Sequence, residues 1–434
     1  CSSDLKIRTV FAETNDKYLE PQHAPLFIND EKLVILSRNK GALHPYIVDL
    51  KASEVTPLVD EEAIWEISDL GGLDANKENL FFHANISDPR DQHYYRLNLT
   101  TQTFTQLTTE QGVHQVRRSK DEAYLLDEVS TPEVEYKFNL LDKDGKKLYS
   151  YVAENRMHTE DLGTTTPVVL AGDDECPHDL YGCITVPRDF DPCKSYPTIV
   201  YVYGGPHVQL VRRTYHYGAT LFDHDLARQG YIVFMLDSRG SANRGLAFEQ
   251  EIHKNLGEVA IKDQLRGVKY LKDLPYVDAS RLGVFGWSFG GFMAASLMMR
   301  TDVFKAGVAG GAVCDWSLYE IMYTERYMET PDSNPEGFAA SSLLNHVKNL
   351  KSPLLMIHGS HDPVVVEQHV HKLLHKAVSE GVDIEYFSYL KDGHGASNRF
   401  HLYQKISNYF SEKLLNNAAS ERAVRLQRTV ISGN

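Results

Sequence analysis

Cysteine is scarce, with 5 in 434 residues, so the chain is not a disulfide scaffold. Cys176, Cys183 and Cys193 lie close together without a CxxC or mixed Cys/His spacing. They read as structural thiols, and neither a metal nor a cofactor is implied. Positive charge is outnumbered: 45 Lys and Arg face 59 Asp and Glu, a net charge of −14. That excess argues against nucleic acid or an anionic membrane surface as the main partner. A membrane-spanning run is also wanting. Leu282 to Met299 is 18 residues without a charge, but it holds Gly283, Gly286, Gly290 and Gly291 and is interrupted by Trp287, Ser288 and Ser296. A buried strand followed by a buried helix is expected there, not an integral membrane span. No secretory leader pattern is visible at the start. The opening Cys1-Ser2-Ser3-Asp4 fits a lipidated mature terminus or a cut within a longer chain. What is present, 42% hydrophobic and 24% charged, is a globular composition long enough for two or three domains.

The first 150 residues read as short strands punctuated by Asn, Asp, Gly and Pro. A long period runs through them. Asn29-Asp30-Glu31-Lys32-Leu33 recurs as Asn76-Lys77-Glu78-Asn79-Leu80 and as Ser119-Lys120-Asp121-Glu122-Ala123. Tyr46 to Leu50 recurs as Tyr95 to Leu99 and as Tyr136 to Leu140, with steps of 49 and 41 residues. Such a period suits one four-stranded propeller blade per repeat, and the competing arrangement is a plain antiparallel sandwich. Closed propellers need about four to eight blades, so three predict a partial propeller over 1–154, preceded by blades outside this chain.

From about residue 155 apolar runs alternate with helical stretches. Strands are expected at Thr198 to Tyr203, Tyr231 to Leu236, Leu282 to Phe285, Ala306 to Ala309, Leu354 to His358 and Ile384 to Tyr389. Helices are expected at Glu258 to Leu274 and Val366 to Ser379. Continuous apolar strands alternating with helices predict a doubly wound, mostly parallel α/β sheet over 155–416. The tail 417–434 has no core pattern.

Gly286-Trp287-Ser288-Phe289-Gly290 matches G-x-S-x-G between an expected strand and an expected helix. A turn that tight exposes a serine hydroxyl at the top of an α/β-hydrolase sheet. Serine is a poor nucleophile until a base takes its proton and a carboxylate orients that base. The chain order Ser, Asp, His selects Asp362, after Leu354 to His358, and His394, after Ile384 to Tyr389. Asp392 stands too near His394 to be the obvious orienter, and His358 and His361 belong to the acid loop. The oxyanion needs donors: the Phe289 N–H, and the loop Tyr203-Gly204-Gly205-Pro206, where the Tyr203 phenol can donate.

These residues carry a resemblance. Val202 to Pro206, Asp237-Ser238-Arg239-Gly240-Ser241, Gly286 to Gly291, Tyr323 to Met328 and the Asp362 and His394 loops resemble the dipeptidyl peptidase IV branch of the prolyl oligopeptidase family. Several stretches are most similar to bacterial prolyl tripeptidyl aminopeptidases. The likeness covers roughly 20–415 and implies a propeller followed by an α/β-hydrolase. It implies serine exopeptidase activity that releases short N-terminal peptides after proline or alanine. It further implies proline-containing peptides as partners, an extracytoplasmic location and a family that admits homodimers.

The spacing of Trp316, Tyr319, Tyr323 and Tyr327 predicts one helix face, a pattern more often core than site. The resemblance instead makes Tyr319 and Tyr323 pocket tyrosines, with Trp316, Val313 and Val365 as walls. A proline ring is flat and apolar, so aromatic side chains grip it at small entropic cost. Phe289 and Val364 depart from the dipeptidyl pattern of Tyr and Asn, which favours tripeptide release. A free substrate amine calls for a carboxylate, and Glu336 is the candidate in this half. The rival readings are a carboxylesterase with the same triad and a non-catalytic peptide-binding protein.

Overall fold

Twelve short strands pair by sequence neighbour into three four-stranded antiparallel sheets. The computed structural model describes residues 7–20, 23–60, 63–153 and 162–415. The first sheet holds β1 (Leu26–Phe27), β2 (Lys32–Ser37), β3 (His44–Asp49) and β4 (Glu54–Pro57). The second holds β5 (Ile67–Leu73), β6 (Asn79–Ala84), β7 (His93–Asn98) and β8 (Phe104–Gln106). The third holds β9 (Val113–Arg118), β10 (Tyr124–Ser130), β11 (Lys137–Asp142) and β12 (Lys147–Val152).

Strand periodicity explains how the sheets stack. On β6, Leu80 and Phe82 join Val34, Leu36, Leu58, Tyr95 and Leu97 in one core. Phe81, facing the other way, joins Tyr94, Leu107, Leu125 and Leu141 in a second. Alternate residues of one strand thus serve opposite faces, and the middle sheet is buried on both. These are the blades of a partial propeller, one per sequence repeat.

The second region is an eight-stranded sheet: β13 (Thr164–Leu170), β14 (Leu180–Val186), β15 (Tyr196–Tyr201), β16 (Ile232–Leu236), β17 (Val277–Trp287), β18 (Ala306–Gly310), β19 (Leu354–Gly359) and β20 (Glu385–Tyr389). The spatial order is 13-14-16-15-17-18-19-20. β13, β14 and β16 pair antiparallel, and from β16 through β20 every pair is parallel. Parallel strands end on one edge, so the loops after β15, β17, β19 and β20 share that edge. The α-helices among the described residues are α1 (Leu221–Arg228), α2 (Leu246–Glu249), α3 (Glu258–Lys272), α4 (Phe289–Arg300), α5 (Ile321–Met328), α6 (Pro335–Ser341), α7 (Gln368–Ser379) and α8 (Arg399–Leu415). Leu282 to Met299 is the end of β17 followed by the buried start of α4. No helix among the described residues is long and apolar enough to cross a membrane.

The chain divides into two compact units. Segments 212–218 and 242–250, which carry α2, pack with the three blades, and the rest of the described residues beyond 162 form the α/β unit. The 154/155 boundary, the tail 417–434 and Cys1 lie outside the described residues.

Candidate active site

Ser288 sits between β17 and α4 with φ 60° and ψ −119°, a left-handed backbone that costs a serine free energy. Its neighbours make the turn attainable. A Cβ on Gly286 would lie 2.1 Å from the Gly290 carbonyl oxygen, and one on Gly290 would lie 2.3 Å from the Val202 carbonyl oxygen. Only glycine fits at either place. The Ser288 N–H donates to Gly310 O on β18 at 2.8 Å, which pins the turn to the sheet.

Asp362 and His394 come together across the ends of β19 and β20. His394 Nδ1 donates to Asp362 Oδ2 at 2.7 Å. That bond puts the proton on Nδ1 and leaves the Nε2 lone pair free. The Asp362 side chain is fully buried, and its other oxygen accepts from the Val364 and Val365 N–H groups at 2.8 and 2.9 Å. Asp392 is engaged elsewhere, accepting from the Ser397 N–H and hydroxyl at 3.0 and 2.7 Å. Trp287, beside the serine, donates its indole N–H to His394 O at 2.8 Å. The Ser288 turn and the His394 loop are therefore tied together one residue from Ser288. Sequence reasoning missed this Trp287 strut, although Trp287 stands inside the motif.

The two expected oxyanion donors sit on the chain after β15 and after β17. Phe289 opens α4, so its N–H has no intrahelical acceptor. Tyr203 follows β15, and its Cα lies 3.2 Å from where a Gly290 Cβ would be. Burial raises the Tyr203 phenol to about 12, so it keeps its proton at neutral pH.

The aromatic group forms, but not on one helix face. Trp316 belongs to a short 3-10 turn, Trp316–Leu318, whose N–H at Ser317 is capped by the Asp315 carboxylate. Tyr319 and Glu320 are extended, and α5 begins only at Ile321. The spacing mimicked a helical stripe because a turn and a helix meet across two extended residues. The rings still converge. Trp316 stacks on Tyr323 at 6.0 Å and 10°, and Tyr319 meets Tyr323 edge-on at 5.2 Å. Phe289 packs 5.4 Å from Trp316, linking this cluster to the residue after the nucleophile. Burial, with Glu320 and Asp362 nearby, raises the Tyr319 phenol above its usual range. Val313 and Val365 are buried and Val364 is exposed. Glu336 is exposed in the first turn of α6. Tyr327 shares a hydrogen bond with His207, a residue that sequence reasoning did not single out.

A parallel sheet, a strained serine turn and an acid–histidine pair on one strand edge define an α/β-hydrolase unit, here preceded by propeller blades. Residues 222–417 match the prolyl oligopeptidase family, and residues 2–136 match the dipeptidyl peptidase IV N-terminal region. The chain belongs to the prolyl oligopeptidase family, in its dipeptidyl peptidase IV branch. Human dipeptidyl peptidase 8 is 30% identical over 82% of this chain and 42% of its own length. A dipeptidyl aminopeptidase IV candidate from Bacteroides ovatus superposes with a TM-score of 0.87 at 35% identity, covering 92% of this chain and 60% of that one. Porphyromonas gingivalis dipeptidyl peptidase 4 superposes with a TM-score of 0.82 at 27% identity, over 90% of this chain and 56% of that one. The chain spans about half the length of the curated relatives it matches.

Proposed function

We propose that this chain carries the catalytic machinery of a serine exopeptidase that releases short N-terminal peptides after proline or alanine, outside the cytoplasm. The observation that carries the reading is the 2.7 Å bond from His394 to Asp362 beside the strained Ser288 turn. His394 Nε2 takes the proton from Ser288 Oγ as that oxygen attacks the scissile carbonyl. The Tyr203 phenol and the Phe289 N–H hold the developing oxyanion. His394 then gives the proton to the leaving amine, and water hydrolyses the acyl-enzyme by the same route in reverse. Asp362, buried against the ring, stabilises the imidazolium that forms.

Tyr319 and Tyr323 face the proline ring, with Trp316, Val313 and Val365 behind them. Phe289 and Val364 favour tripeptide over dipeptide release, and Glu336 receives the substrate ammonium. A matched set of Pro-para-nitroanilides, free and N-acetylated, two and three residues long, tests each part. Cleavage of the free tripeptidyl compound, with the acetylated one left uncut, is expected. Hydrolysis of a simple nitrophenyl ester with none of the peptides cut would make the protein an esterase.

A further inference from the structure

His358 is the next-to-last residue of β19, and its side chain is fully buried. The proposed reaction gives it nothing to do, yet it touches the acid's turn. Its Nε2 lies 2.7 Å from the Val365 carbonyl oxygen and 3.6 Å from Asp362 Oδ2. A carbonyl only accepts, so Nε2 holds the proton. Nδ1 has no hydrogen-bond partner among the described residues.

The groups that face the ring are the Val365 carbonyl, Asp362, His394, Glu367 and His369. Burial lowers its pKa and outweighs the Val365 carbonyl and the two carboxylates, which pull the other way, while His394 adds to the lowering. The ring is therefore a neutral donor. Val365 is gripped from both sides: its N–H by Asp362 Oδ1 at 2.9 Å, its carbonyl by His358. Ring, turn and carboxylate form one circuit, and the other carboxylate oxygen aims at His394. Losing the ring donor would leave a buried carbonyl unpaired, and the turn that orients Asp362 would have to rearrange.

We propose that His358 is a positioning residue of the triad. As a neutral Nε2–H imidazole it fixes the Asp362–Val365 turn, and with it the aim of Asp362 at His394. This rests on the serine-peptidase reading above.

The test compares two neutral amides in the full-length chain. The His358→Gln side chain can place an N–H near the Nε2 position, whereas that of His358→Asn reaches only as far as Nδ1. The Asn variant should lose roughly 10- to 100-fold in kcat/KM on the peptidyl nitroanilide, mostly in kcat. Its acid limb should move to lower pH, because a His394 less well paired with carboxylate is easier to deprotonate. The Gln variant should stay within about threefold of wild type with its acid limb in place. Equal kinetics for the two variants, or an unmoved acid limb with a parallel fall in Tm, would overturn the proposal and leave His358 a core residue only.

A second readout needs no turnover. The downfield His394 Nδ1–H proton resonance should survive in the Gln variant and weaken or vanish in the Asn variant. Nitrogen NMR should find His358 as the neutral Nε2–H tautomer across the pH range in which the enzyme is active. An Nδ1–H form or an imidazolium in that range would overturn the proposal. A wild-type protein that neither cuts nor is labelled by a fluorophosphonate would defeat the peptidase reading alone, since the aim of Asp362 is still read from the His394 resonance.

Discussion

Each unit encloses ion pairs, Arg239–Asp263 at 2.8 Å being one in the α/β unit, but the α/β unit also sets a buried acid at a strand end. Within the blade unit, Arg38 lies between Glu66 at 3.1 Å and Glu249 at 2.5 Å, all nearly enclosed. His114 and Asp127 pair at 2.8 Å with almost no exposure. Within the α/β unit, β16, β18 and most of β19 are buried apolar strands. One of its buried acids, Asp362, lies past a strand end, where its histidine partner is 26% exposed. A charge enclosed by its counter-charges has its chemistry spent on holding segments together. A charge at a strand end keeps one partner open to a substrate. Buried polarity alone therefore does not mark a site, whereas an open ring nitrogen beside a strained nucleophile does.

The contrast can be broken most sharply at the serine. Ser288→Ala should lower kcat/KM by about 10⁴-fold or more while leaving the denaturation midpoint in place. Labelling of the Ala variant by a fluorophosphonate would show that another nucleophile does the work. On the blade side, Arg38→Met leaves two buried acids without the guanidinium between them and should cost about 3–5 kcal/mol in urea denaturation. A loss below about 1 kcal/mol would mean that the cluster is already neutral.

Glu66 sharpens the same point. Burial first, and then Glu249, push its carboxyl up to about 8 against the pull of Arg38. Its ordinary value is 4.5, so the folded state favours the protonated acid. That contribution is full below about pH 4.5 and fades as pH rises through about 8. Glu66→Gln should flatten stability across this window, a difference of up to about 5 kcal/mol by pH-dependent denaturation. A Gln variant that keeps the wild-type slope would place the titration elsewhere. The smallest effect belongs to the pocket. Tyr323→Ala should cost about tenfold in cleavage after proline and leave the phosphonate labelling rate within about twofold. An equal fall in both would indicate a damaged fold instead of a lost pocket wall.

Much of the α/β unit was legible because its signals are contiguous. Leu354 to His358 and Leu282 to Phe285 are unbroken apolar runs, as strands buried on both faces must be. The blades were legible at their middle strands, such as β2 and β6, but not at β12, whose residues are all exposed and carry no pattern. The Trp316 to Tyr327 stripe misled for a related reason. Spacing reports periodicity, but the Asp315 cap and the extended Tyr319 interrupt the helix.

Asn85 makes the same point on a smaller scale. It heads the sequon Asn85-Ile86-Ser87, yet its side chain is buried, donating to Asn243 O and accepting from the Glu66 N–H.

The sequence by itself determined which residues could supply nucleophile, acid and base. A glycine-flanked serine and two loop residues in the right order are local facts. Whether Asp362 meets His394, which carbonyl His358 holds, and how Trp287 reaches the His394 backbone were decided only by the tertiary structure. Those contacts join residues 32 and 107 positions apart in the cases of Asp362–His394 and Trp287–His394. They exist because parallel strands bring distant loops to one edge, and that closeness depends on the packing of the whole sheet.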